Sequence, residues 1–254
     1  WDLTLLYKSP KDPQIEKDLK KIESICSNIQ KKYQKEDFVK TPKGLFSALE
    51  DVEKVTSSIS ESRPLLYVYL STQLNTTDDN ARALLNKYEE RIVTASNKLV
   101  FFDLAIARIV KKDQNKYLTY PPLKKYHYLL KKIFASAKYT LSEKEEQLIS
   151  LFSQPSQSMW VDANQKFLTN QMVRYGKKNI TISEAEEIIK NLSKNDRELL
   201  YKEILQAYKK ATVIAEPEIN ALVTTKKILD KKRGYKDAIT AALNNHELDK
   251  KTVL

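Results

Sequence analysis

The stretch that decides the fold runs from Asp78 to Val110 and reads DDNARALLNKYEERIVTASNKLVFFDLAIARIV. Its apolar residues recur at alternating steps of four and three, which is the period of one face of an α-helix. The spacing predicts one continuous helix of about nine turns, begun by a cap at Thr77 or Asp78. A seam this long must pack against other helices. The seam consists of Ala81, Leu85, Tyr88, Ile92, Ala95, Leu99, Phe102, Ile106 and Ile109.

Two earlier stretches carry the same pattern. Each follows a dipeptide that begins helices, Asp12-Pro13 and Thr41-Pro42, because proline at the first helical position loses no hydrogen bond. Three stripes of matching period within the first 110 residues predict an antiparallel helical bundle. The two further seams are Ile15, Leu19, Ile22, Cys26, Ile29 and Tyr33, and then Leu45, Leu49, Val52, Thr56 and Ile59. The apolar lead-in residues Trp1, Leu3, Leu6 and Tyr7 are expected to dock on the fold.

Downstream signals are also mainly helical. After a polar link at 111–119 and a break at prolines 121 and 122, helices are predicted over 123–137, 143–152, 184–192, 196–213, 218–232 and 236–245. Pro155 is expected to end the helix before it. Capping boxes are predicted at Ser142 and Ser183, each followed three residues later by Glu. Met172–Tyr175 and 180–182, on either side of a glycine-containing loop, predict a short β-hairpin near 172–182 that leans on Trp160 and Phe167.

The predicted fold class is therefore all-α in the main: an antiparallel helical bundle followed by further helices, with one short β-hairpin. Three domains are predicted. Residues 1–110 form an amino-terminal helical bundle lobe, 111–183 a connecting module that contains the hairpin, and 184–254 the start of a further helical lobe.

Composition excludes several classes of protein. Three glycines in 254 residues cannot build a phosphate-binding loop, a Rossmann turn or a nucleophile elbow. The single cysteine, Cys26, lies on the first apolar stripe, which rules out an intrachain disulfide and fits a reducing compartment. No apolar run approaches the roughly 20 residues that span a bilayer, so no membrane is expected as a partner.

The net charge of +11 comes from 44 lysines and arginines against 33 acids. The lysines are spread along the chain among acidic residues, which is typical of a solvated surface. No nucleic-acid partner is therefore predicted. From the residues alone, a non-catalytic helical adaptor that binds a protein partner and, behind it, a nucleic-acid-binding helical protein remain as alternative functions.

Several landmarks together resemble one family. Their order along nearly the whole chain, rather than any single motif, carries the resemblance. They are Trp1-Asp-Leu with Leu6-Tyr7, Leu70-Ser-Thr with Asn75-Thr-Thr-Asp78, Phe101-Phe102, Leu141-Ser-Glu-Lys-Glu-Glu146 followed by Trp160, and Lys231-Lys-Arg-Gly234-Tyr235. In this the sequence resembles the amino-terminal portion of the oligoendopeptidase F family of zinc metallopeptidases.

The resemblance implies a mostly helical, cytoplasmic metalloendopeptidase that hydrolyses short peptides within a deep channel between two lobes. It makes residues 184–254 the truncated start of the catalytic lobe. It also implies zinc, held by a His-Glu-x-x-His helix and a downstream Glu in the full-length enzyme. Here the residue four after His246 is Lys250, and the residue four after His127 is Lys131. No catalytic or metal-binding residue is carried over, so the chain as given is predicted to end before the zinc helix, to bind no zinc and to be inactive. Exposed tyrosines and lysines are expected to line the substrate channel, but the substrate-binding residues are not identified by the sequence.

Overall fold

The computed structural model describes residues 2–60, 62–75 and 78–253, and most of them are helical. The α-helices are α1 (Pro13–Tyr33), α2 (Pro42–Ser60), α3 (Arg63–Leu74), α4 (Asp79–Asn97), α5 (Val100–Ala107), α6 (Lys111–Leu118), α7 (His127–Ser136), α8 (Glu143–Ser153), α9 (Met159–Thr169), α10 (Ile182–Ile188), α11 (Lys194–Arg233), α12 (Thr240–His246) and α13 (Lys250–Val253). The strands are β1 (Met172–Tyr175) and β2 (Lys178–Thr181). The predicted fold class is confirmed, and in the described part of the chain no helix is long and apolar enough to cross a membrane.

The chain divides into two compact units. One contains the residues up to 152 together with those from 229 on, and the other contains 153–228. The division differs from the three sequence segments 1–110, 111–183 and 184–254, which stay a prediction about functional lobes.

The core of the first unit is built from the predicted seams. Every residue of the Ile15–Tyr33 seam is buried, as is every residue of the Ala81–Ile109 seam except Leu99, which is partly buried. Tyr33, Phe38 and Phe102 form an aromatic group in which the rings of Phe38 and Phe102 stack at 4.6 Å between centroids. Of the lead-in, Leu3, Leu6 and Tyr7 pack on this core as predicted, and Trp1 lies outside the described residues.

The long helix predicted over 78–110 is wrong in one respect, because it is broken into α4 and α5. At the break Ser96 donates its hydroxyl to the carbonyls of Ile92 and Val93. Such back-bonding competes with the helical ladder. The next amides bond three residues back, with Lys98 N–H on Ala95 and Leu99 N–H on Ser96, which tightens and ends the turn. At the other end Asp78 caps α4 as predicted, while Thr77 lies outside the described residues.

The second seam also needs a correction. Leu45 and Leu49 are buried and Val52 is partly buried, but Val55 takes the next inward position and Thr56 is exposed. The hydroxyl of threonine stays in water while a purely apolar neighbour is buried, which satisfies both groups. The side chain of Ile59 lies outside the described residues.

Three predicted interruptions are absent from the structure. The polar link at 111–119 contains α6, since a helix needs no wide apolar face when one residue, Tyr117, anchors it in the core. At Pro155 the chain continues through a π-helical turn, Gln154–Ser158, into α9. The wider turn accommodates a residue that lacks an N–H. Pro217 lies inside the 40-residue α11. Proline has no N–H, so one hydrogen bond of the helix is missing there, and the bonds on either side keep the helix continuous.

The second unit has a smaller core around the hairpin. Antiparallel strands β1 and β2 pair Val173 with Ile180, and Val173 packs in a cluster with Leu168 of α9 and buried residues of α10 and α11 rather than with the predicted Trp160 and Phe167. Gly176 begins the two-residue loop with a φ of +61°, which tight hairpin turns require. The predicted capping box at Ser183 is wrong by two residues: Thr181 and Glu184 form it, because β2 leads directly into α10.

Candidate functional site

Two of the motifs that carried the family resemblance contact each other in the first unit. Glu146, at the end of Leu141–Glu146, accepts two hydrogen bonds from the guanidinium of Arg233, at 2.5 Å from Nη1 and 2.7 Å from Nη2. The Leu141 N–H also donates to Glu146, and Arg233 donates to the carbonyl of Tyr139. Burial alone would raise the pKa of Glu146, but the bonds from Arg233 and Leu141 outweigh it and hold this pKa below its usual value.

The residues that follow Arg233 complete the junction. Gly234 ends α11 with a φ of +75°, a conformation that favours glycine. The turn brings the ring of Tyr235 onto that of Tyr139, with 4.1 Å between centroids and 23° between planes. The predicted capping box at Ser142 is confirmed here: Glu145 accepts from the Ser142 N–H at 3.0 Å, and Ser142 accepts from the Glu145 N–H at 3.4 Å.

This tyrosine pair forms one wall of an open groove of about 660 Å³. The size falls within the range of pockets that hold small ligands. Helix α7, the turn at Tyr139 and helix α12 supply the other walls. The lining residues are Tyr128, Lys131, Lys132, Ala135, Ser136, Lys138, Tyr139, Tyr235, Thr240, Leu243, Asn244, Asn245, Glu247 and Leu248.

Positive charge dominates the groove. Its charged lining residues are three lysines and one carboxylate, and Lys132 donates to that carboxylate, Glu247, at 2.7 Å. This contact lowers the pKa of Glu247. Among the residues that the structure describes, neither Lys131 nor Lys138 has an acidic side chain within ion-pair distance. The groove therefore offers two ammonium groups to an anionic ligand, beside aromatic rings and the amides of Asn244 and Asn245.

The side chains of the groove offer contacts to a ligand. The Tyr128 hydroxyl is hydrogen-bonded to Glu247, and Cys26 lies apart from the groove in the core of the bundle. Within 2–60, 62–75 and 78–253, no group of three His, Cys, Asp or Glu residues is close enough to hold a metal ion.

The structure places the two histidines apart from any such set. His127 is the first residue of α7 and is partly buried, while His246 is the exposed last residue of α12. Glu247 follows with a φ of +58°, so the helix ends before Lys250. Two ligands four residues apart share a face only on a continuous helix, so this segment does not provide the geometry that the zinc motif requires.

The sequence left the substrate-binding residues unidentified, and the groove supplies candidates: Tyr128, Tyr139 and Tyr235 with Lys131 and Lys138. Two of the family-like motifs, 90 residues apart, could have pointed to these residues. One motif ends in an acid, Glu146, and the other contains an arginine and a tyrosine, Arg233 and Tyr235, which could pair with groups of the first motif.

Comparison with known proteins agrees with the recognition from sequence. A family model described as Oligopeptidase F matches residues 105–168. The chain is 24% identical over 270 residues to an oligoendopeptidase F homolog of Lactococcus lactis subsp. lactis (strain IL1403), covering 99% of this chain and 42% of the relative. The figures are the same for a relative named oligoendopeptidase F, plasmid, from Lactococcus lactis subsp. cremoris.

Solved structures show the same fold. The crystal structure of oligoendopeptidase-F from Enterococcus faecium superposes with a TM-score of 0.73 at 15% identity, over 92% of this chain and 48% of that one. A putative peptidase from Chlamydophila abortus gives a TM-score of 0.58 at 16% identity, over 100% of this chain and 43% of that one. The chain thus spans less than half the length of the relatives it matches. Within that span the chain is similar to the amino-terminal portion of oligoendopeptidase F proteins.

Proposed function

We propose that this chain is the amino-terminal part of a cytoplasmic, zinc-dependent oligoendopeptidase that hydrolyses short peptides, and that this part shapes the substrate channel. The groove beside Tyr139 and Tyr235 is proposed to form a section of the channel wall. The zinc ligands and the catalytic residues would come from residues outside these 254.

The observation that carries the proposal is the alignment with oligoendopeptidase F relatives over 99% of this chain but only 42% of theirs. It is supported by the contact between the Leu141–Glu146 and Lys231–Tyr235 motifs, which gives the shared landmarks a structural role at the groove.

The groove chemistry suits peptides. Tyrosine rings offer apolar area with little loss of side-chain freedom, and carboxamides such as Asn244 can pair with peptide backbone groups. Lys131 and Lys138 offer their charge to a carboxylate, either at the carboxyl terminus of a peptide or on an acidic side chain. The metal would supply a Lewis acid and an activated water in the whole enzyme, but the residues described here do not fit it, so no step is assigned to it.

Peptide binding to this chain tests the channel-wall role. A fluorescently labelled octapeptide with a free carboxyl terminus is titrated against its amidated counterpart, with anisotropy as the signal. The free acid is expected to bind roughly three to ten times more tightly, since each exposed ion pair contributes up to about 1 kcal/mol. Changing Lys131→Ala and Lys138→Ala together should abolish the difference.

A matched control removes two exposed lysines elsewhere, Lys111→Ala and Lys177→Ala, so that the net charge changes equally. Retention of the carboxylate effect in this control, with its loss in the groove variant, supports the proposal. An equal loss in both variants would mean that only net charge matters, and the groove would lose its role.

Metal analysis after dialysis, with a quenched fluorescent peptide assay, tests the placement of the zinc site outside this sequence. The chain is expected to retain no stoichiometric zinc and to show no chelator-sensitive turnover. Zinc at one per chain with such turnover would put an active site within these 254 residues.

A further inference from the structure

A second pocket of the first unit lies on α5, α7 and α8, with a volume of about 400 Å³. Its floor is apolar, because Leu104 and Ile133 are both buried there and Ala107 lies beside them. Two acids, Asp103 and Glu146, belong to the lining, and the Asp103 side chain is exposed to solvent.

No hydrogen bond or ion pair joins the Asp103 side chain to another described residue, whereas the other acid of the lining, Glu146, is fully engaged with Arg233. Asp103 is exposed to solvent at the pocket mouth. The neighbouring helices remove part of its hydration, which raises the pKa of Asp103 above its usual value.

The neighbouring hydroxyls are set as acceptors. Ser136 donates its hydroxyl hydrogen to the carbonyl of Ile133 at 3.1 Å, and Thr140 donates its own to the carbonyl of Ala137 at 2.8 Å. Each oxygen therefore has lone pairs left to accept with. Together with the Asp103 carboxylate these two hydroxyls give the pocket three acceptor groups, which suit a ligand group that has only donors.

We propose that this pocket binds a basic side chain, an ammonium or guanidinium group on an aliphatic stem, carried by a peptide. The stem covers Leu104, Ala107 and Ile133, and the cationic head meets Asp103 with Ser136 and Thr140. Ammonium and guanidinium groups have several donors and no acceptor, and both bind carboxylates by charge-assisted hydrogen bonds. The choice of a peptide as the carrier rests on the proposed function, but the acceptor set does not.

The test uses the whole chain, labelled with ¹⁵N, and two peptides with blocked termini: acetyl-Gly-Lys-Gly-amide and the same peptide with norleucine. Backbone amide shifts of Asp103, Leu104 and Ala107 report binding. The lysine peptide is expected to shift them saturably, and Asp103→Asn should weaken its affinity roughly three- to tenfold, which is what an exposed ion pair contributes. The norleucine peptide should bind weakly and equally to both proteins.

Two further variants serve as controls, one for the change of charge and one for the shape of the pocket. Asp113→Asn makes the same charge change at a surface residue paired with Lys116 and should leave the affinity unchanged. Ala107→Met fills the pocket and should abolish binding with the carboxylate intact. Circular dichroism confirms that each variant is folded.

Equal affinities of the lysine peptide for wild type and Asp103→Asn, or of the two peptides for wild type, would overturn the proposal. So would displacement of the lysine peptide by millimolar Mg²⁺ with shifts that need Asp103, because the pocket would then be a metal site. Blocked termini remove the carboxylate that the groove needs, and Lys131→Ala with Lys138→Ala should leave this binding intact. Failure here with a positive groove result would therefore reject this pocket alone.

Discussion

The Arg233–Glu146 pair should be a large local contribution to the stability of the first unit, and Glu146→Gln is the change that tests it. The two side chains are only 23% and 17% exposed, and they make two parallel charge-assisted hydrogen bonds. Glutamine keeps one acceptor oxygen and cannot serve both guanidinium nitrogens. Removing one partner of a fully buried pair costs about 3–5 kcal/mol. Discounted for the residual exposure, Glu146→Gln should cost about 2–3 kcal/mol.

The assay is urea unfolding at neutral pH, followed by far-ultraviolet circular dichroism. The control is Glu36→Gln, because Glu36 pairs with Arg108 by a single 2.8 Å contact and Arg108 is 53% exposed. That change should cost less than about 1 kcal/mol. A double-mutant cycle with Arg233→Met should give a coupling of about 1.5–3 kcal/mol. A cost for Glu146→Gln no larger than that of the control, or no coupling, would refute this account of the junction.

The pH dependence gives an independent reading of the same pair. Because the folded state lowers the pKa of Glu146, its contribution is present above the unfolded-state value of about 4.3 and is lost as the pH falls through the folded-state pKa. The stability difference between wild type and Glu146→Gln should therefore shrink as the pH drops below about 4. A difference that stays constant into acid would show that charge is not its source.

Three further changes test the fold. Ile106→Ala should cost about 2–5 kcal/mol because the side chain is fully buried, whereas Leu5→Ala, at an 82% exposed residue, should cost little; similar midpoints in urea would contradict the core assignment. Tyr117→Phe should cost about 1–2 kcal/mol, since it leaves the carbonyl of Val39 without the hydroxyl donor, and an unchanged midpoint would argue against that contact. Gly176→Ala should cost about 1 kcal/mol through backbone strain at positive φ, measurable as faster proteolysis within 153–228.

The sequence predicted the parts of the fold that depend on periodicity. A repeated step of four and three places side chains on one face whatever the partner is, so the buried seams of α1 and of α4 with α5 followed directly. The hairpin followed from a glycine between short runs that are partly β-branched or aromatic. Helix caps were predicted correctly where no neighbouring residue could take the place of the capping side chain or of the glutamate three residues later, as at Ser142.

The positions at which helices break or continue were harder to predict. They depend on the free energy of individual hydrogen bonds, about which the spacing of apolar residues says nothing. The seam continues across the gap between α4 and α5, so the pattern is the same with or without a break at Leu99. Pro217 costs one hydrogen bond, a penalty that the long α11 outweighs through its remaining ladder. The groove could not be predicted from the sequence, because Tyr139 and Tyr235 are far apart along the chain and meet only where Arg233 binds Glu146.

The uneven size of the two cores has a consequence for how the protein opens in solution. The cluster around Val173 in residues 153–228 is much smaller than the one that surrounds α1, so less apolar surface stabilises its backbone hydrogen bonds. Amide hydrogens of β1, β2 and α10 should exchange with deuterium earlier than those of α1. The lone tryptophan of this segment, Trp160, would report its opening through fluorescence while the bundle remains folded.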